Sequence, residues 1–173
     1  MAYLLRKIRK NRWYKTEELT WLPEDELQAD ALDDLRTKSN ELSVFHVNQD
    51  ISNLNRVVAA LAISFDDPSN FDFALLNEET MSEMGIKWKK SPGALSDKEV
   101  NDWHNDLYEL SDSRLLELAR TIKAKAIIDR RDYMEVLNIV ATSLANGHID
   151  RSNIRWKKRD LEDLDALIAS RSR

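Results

Sequence analysis

Apolar residues along this chain follow two rhythms, one of period two and one of period close to four. The first marks strands. Tyr3 to Ile8 reads as a short strand, although Leu4, Leu5 and Ile8 would also suit a helical face. Leu42 to Val47 (Leu-Ser-Val-Phe-His-Val) is rich in β-branched and aromatic residues, and Phe71, Phe73 and Leu75 fall on alternate positions. Three strands are therefore predicted.

The second rhythm marks helices. Leu54, Val57, Val58, Leu61 and Phe65 form a core stripe, with Asp50 or Ser52 as its cap. Pro23 suits the first turn of a helix to Leu35, where Leu27, Ala31 and Leu35 recur every fourth residue. A short helix from Glu78 to Met84 should stop at Gly85. Beyond Ser91-Pro92-Gly93, the best candidate boundary, everything reads as helix. Ser96-Asp97-Lys98-Glu99 resembles a capping box ahead of Val100, Trp103, Leu107 and Tyr108. Ser113 opens another helix through Leu116, Ala119 and Ile122. A third runs from Tyr133 to Leu144 and closes at Asn146-Gly147, and Leu161, Leu164 and Ile168 mark a last one.

The expected fold class is α+β and predominantly helical: a small three-stranded β-α-β-α-β unit followed by a C-terminal extension of about four helices. Residues 1–90 would form the α+β unit and 91–173 the helical region, packed on it as one body. So small a sheet leaves apolar surface that the later helices, or a partner, must cover.

Composition removes several function classes. Only three glycines occur, so neither a dinucleotide-binding fingerprint nor a P-loop can be built. The absence of cysteine excludes disulfides, thiolate metal sites and thiol nucleophiles. The longest apolar run, Val57 to Ile63, is far below the roughly 20 residues that span a bilayer. Ala2 to Leu5 is too short for a signal core. A cytoplasmic protein without membrane contact is expected.

Charge is segregated. Residues 1–15 carry Arg6, Lys7, Arg9, Lys10, Arg12 and Lys15 and no acid; residues 16–34 carry eight acids and no base. The pattern suits a basic arm docking on an acidic segment of the same chain or of a second copy, or two separately solvated surfaces. Three clusters set tryptophan among cations: Arg12-Trp13-Tyr14-Lys15, Lys87-Trp88-Lys89-Lys90 and Arg155-Trp156-Lys157-Lys158-Arg159. Aromatic faces beside cations could stack bases and hold phosphates. They equally describe lysine stems lying over core-edge rings. The net charge of −5 and the lack of any nucleic-acid motif favour the second reading.

Catalytic candidates are sparse. His104 lies in the polar run Asn101 to Asp106, but on a helix Asp102 and Asp106 would point to other sides. Glu26, Asp30 and Asp33 or Asp34 would share one helical face, which more often faces water than a metal. His46 reads as a structural histidine, and His148 with Asp150 makes an incomplete ligand set. No metal and no cofactor is expected. The sequence supports a non-enzymatic interaction or adaptor-type subunit of a bacterial cytoplasmic assembly, in an accessory or inhibitor-like role, with a protein partner or a second copy. A nucleic-acid-contacting protein using the three clusters is the alternative. A hydrolase or nuclease around His104 or the acidic helix is the third reading.

Overall fold

Strand β1 (Tyr3–Ile8) lies inside a six-stranded antiparallel sheet, hydrogen-bonded on one side to β2 (Leu42–Val47) and on the other to β3 (Phe71–Asn77). This computed structural model describes residues 2–14, 20–23 and 26–171. Three further strands complete the order β4-β5-β2-β1-β3-β6: β4 (Lys87–Lys90), β5 (His104–Tyr108) and β6 (Ile127–Arg131).

The expectation of three strands and a predominantly helical chain is thus corrected. The α+β class stands, but a six-stranded sheet organises it. Residues 91–173, expected to be wholly helical, supply β5 and β6, and β5 is paired between β4 and β2. These three strands escaped a local reading for one reason. Lys-Trp-Lys-Lys, His-Asn-Asp-Leu-Tyr and Ile-Ile-Asp-Arg-Arg carry little apolar alternation, because they lie toward the sheet edges where charge also discourages further pairing.

Alternation along the central strands sends side chains to two separate cores. Leu5, Phe45, Val47, Phe71, Phe73 and Leu75 face one layer of helices: α1 (Leu54–Ala62), α3 (Lys98–Asp102), α5 (Tyr133–Ala145) and α6 (Lys158–Arg171). Leu4, Ile8, Leu42, Val44, Ala74, Leu76 and Leu107 face the other, built from α2 (Glu78–Glu83), α4 (Asp112–Lys125) and the connection after β1. The sheet is covered on both sides. Within α1, Leu54, Val57, Val58 and Leu61 are all buried, each contributing about 1.5–3 kcal/mol.

Two helical expectations fail locally. The helix expected from Pro23 is instead a 3-10 turn over Ala29–Leu35, with Gln28 extended. The helix expected from Ser96 is capped by Asp97, whose carboxylate accepts from the amides of Glu99 and Val100, and ends at Asp102. The chain then enters β5, whose Leu107 is fully buried opposite Leu42 and Trp88. Helix α4 starts after Ser111 rather than Ser113. Gly85 and Gly147 have φ of +66° and +69°, the left-handed conformation expected of helix stops. No helix among the described residues is long and apolar enough to cross a membrane.

Candidate functional site

Two of the three cluster tryptophans are core residues on opposite faces of the sheet. Trp13 is 1% exposed on the α4 side, and its Nε1 donates to Asp34 Oδ2 at 2.9 Å. Trp156 is 4% exposed on the α1 side, and its Nε1 donates to the Ala62 carbonyl at 3.2 Å. Neither ring is open to a base. Trp88 is half-buried against the α4-side core.

The cations divide similarly. Arg12 pairs with Asp33 and Asp34, and Lys15 lies outside the described residues. Lys87 bonds Glu109 at 2.6 Å, Lys89 pairs with Glu41, and Lys90 lies 3.8 Å from Asp102. Lys158 pairs with Glu162, while Arg155, Lys157 and Arg159 are exposed. The second cluster is therefore an edge strand tied down by its own chain's acids.

The basic N-terminal segment docks within the chain. Arg6 donates Nε and Nη2 to the Asp34 carbonyl and Nη1 to that of Ser43. Asp34 also takes the Arg9 amide at 2.7 Å. The acids expected on one helical face are thereby separated: Asp34 is buried, whereas Asp30 and Asp33 stay exposed.

His104 gains neighbours that a helical reading denied it. On a strand, residues i and i+2 share a face. His104 Nε2 accordingly lies 3.9 Å from Asp106 Oδ1, and Ser43 Oγ donates to that same oxygen at 3.1 Å. On the other ring nitrogen, Nδ1 lies 2.8 Å from Ser91 Oγ. The ring stands edge-on to Phe45 with centroids 5.0 Å apart. A working nucleophile, base and orienter need hydrogen bonds on both sides of the imidazole. Here only the serine side is within bonding distance.

This histidine lines a cavity of about 440 Å³. Its apolar wall is Leu5, Phe45, Leu61, Phe65 and Leu95, and its charged lining is Arg6, Lys7 and Arg9 with Asp33 and Asp34. The half-buried Lys7 ammonium sits 3.1 Å from the Phe65 ring centroid and 5.6 Å from that of Phe71. Burial, and then the neighbouring Arg9, lower its pKa to about 8, against the pull of Asp67, Asp34 and Asp72.

A second cavity, of about 580 Å³, went unnoticed in the sequence. Asn53, Asn55, Asn138, Asn146 and His148 line it beside Trp103. Its signal was the spacing Asn138, Thr142, Asn146, a polar stripe along α5. Arg56 stands 5.7 Å from the Trp103 ring, locked bidentately to Asp97 at 2.7 and 3.0 Å. His46 lies 3.6 Å from Glu78. Among the described residues no group of three or more His, Asp or Glu could hold a metal ion.

The fold is that of an α+β protein with a six-stranded antiparallel sheet covered on both faces. No protein family, no curated protein and no solved structure matches the chain.

Proposed function

We propose that this protein is a non-enzymatic interaction subunit, a cytoplasmic accessory component that docks on a protein partner through the connection between β1 and β2. One observation carries the reading. That connection presents Trp21 at 75% exposure, Tyr14 at 48% and Leu32 at 41%. Its sequence from 16 to 34 is acidic without a single base.

An indole left in water forgoes the burial energy available to the other tryptophans, and Trp and Tyr are the side chains that centre protein interfaces. The acid that flanks Trp21 in the sequence selects a partner with basic groups around an apolar pocket, speeding encounter more than it strengthens the complex. A second copy fits less well. The chain's own basic segment is β1 and the turn after it, already engaged with Asp34 and the sheet.

The imidazole, hydroxyl and carboxylate around His104 lack one of the two bonds that catalysis would use. The buried rings of Trp13 and Trp156, with the ion-paired lysines of β4, give the nucleic-acid alternative less support than the protein partner.

The test is affinity capture with light scattering on the recovered complex. The wild-type chain and a His104→Ala variant should retain one stoichiometric partner, and a Trp21→Ser, Leu32→Ser double variant should lose it. A partner held equally by the double variant, or a wild-type protein that stays monomeric and binds no protein, overturns the reading.

A further inference from the structure

The Lys7 cavity holds a half-buried cation with no carboxylate in ion-pair contact among the described residues, and of the acids near it Asp33, Asp34 and Asp72 are paired with other cations. Asp34 takes Trp13 Nε1, the Arg9 amide and Arg12. Asp33 pairs with Arg12 and Arg36. Asp72 binds Arg130 at 2.6 and 3.0 Å and takes the Lys10 amide, and Asp67 accepts from the Ser69 amide. Asp106 takes the Ser43 hydroxyl beside His104. Arg6, a further cation in the wall, gives its guanidinium to two backbone carbonyls.

Removing an ammonium from water is costly unless a counter-charge replaces the lost solvation. Phenyl rings beneath Lys7 recover part of that cost, but they do not neutralise the charge. The exposed Arg9 at the same cavity adds repulsion. The void beside this amine is walled by Leu5, Phe45, Leu61, Phe65 and Leu95 and lies within the usual range of ligand sites.

We propose that this cavity binds a small carboxylic acid, its carboxylate paired with Lys7 and its hydrocarbon part seated against Phe45, Leu61, Phe65 and Leu95. A neutral hydrocarbon would leave the ammonium as it stands.

Calorimetric titration at neutral pH with benzoate and hexanoate, each against its neutral amide, tests the site. At least one carboxylate should bind ten-fold or more tighter than its amide, and Lys7→Met should abolish that preference while unfolding stays cooperative. On the wild-type protein, the bound carboxylate should slow reductive methylation of Lys7, read by peptide mass spectrometry. Equal affinity for acid and amide, no binding of either carboxylate, or methylation of Lys7 at an unchanged rate overturns the proposal.

Discussion

Trp13 and Asp34 meet in the interior, indole Nε1 to carboxylate Oδ2 at 2.9 Å, and this contact ties the two ends of the connection between β1 and β2 together. Asp34 gathers the Arg9 amide and the Arg12 guanidinium as well, while its carbonyl receives Arg6. Asp34→Ala leaves a buried indole N–H and a backbone amide without acceptors. The expected loss is about 2–4 kcal/mol, read as a lower urea midpoint with unchanged slope. Asp34→Asn should recover part of it.

Asp97 gives the protein an acid-sensitive joint. Burial alone would raise its pKa, but the Arg56 hydrogen bonds and the amides of Val100 and Glu99 outweigh burial and leave it lowered. A carboxylate held low in the folded state stabilises above its unfolded value of about 3.9, and that stability is lost as pH falls through the folded value. Stability should therefore drop below about pH 4 in the wild type, and less steeply in Asp97→Asn. At pH 7 the variant should be the weaker by about 1–3 kcal/mol, since Arg56 loses its bidentate partner and keeps Glu99. Urea unfolding across the acid range measures both.

Lys7 also makes stability rise with pH, but in an alkaline window, because there the charged form is the one that the fold disfavours. Its folded pKa of about 8 lies below the ordinary lysine value of 10.5. Between those two values the unfolded chain binds the extra proton, so stability should rise with pH across this window. Lys7→Met removes the effect and should be more stable than wild type at pH 7. Paired unfolding curves at pH 7.5 and 9.5 decide it.

Two glycines should respond differently to alanine. At Gly147 a Cβ meets nothing within 4 Å, so only the left-handed backbone resists, at about 1 kcal/mol. At Gly93 a Cβ would come within 2.7 Å of the Asn101 Cα, and Asn101 clamps the amide and carbonyl of Leu95 at 2.8 Å each. Gly93→Ala should cost more, about 1–3 kcal/mol, and loosen the turn that holds Ser91 against His104. Thermal unfolding of the two variants ranks them.

Tryptophan exposure is directly measurable. Trp21 is open to solvent while Trp13 and Trp156 are not. Acrylamide should quench one accessible fraction of the emission, and Trp21→Phe should remove most of that fraction. A wild-type quenching curve retained in Trp21→Phe would contradict the burial pattern.

Much of this molecule was determined by its own sequence. The runs read as strands at Tyr3 to Ile8, Leu42 to Val47 and Phe71 to Leu75 became the sheet's centre, and the stripe from Leu54 to Leu61 became its most buried helix. Those segments bury one or both faces, so their composition records their neighbours. Edge and near-edge strands bury less and record little. Lys87–Lys90, His104–Tyr108 and Ile127–Arg131 became strands only because β5, β2 and β3 offered unpaired backbone to meet them. That pairing is non-local and overrides weak local preference. The same decision governs the candidate sites. Turning His104 from helix to strand brought Asp106, Ser43 and Ser91 around it. Folding the basic segment into β1 buried Lys7 beside Phe65 and left Trp21, not Trp13 or Trp156, as the tryptophan open to solvent.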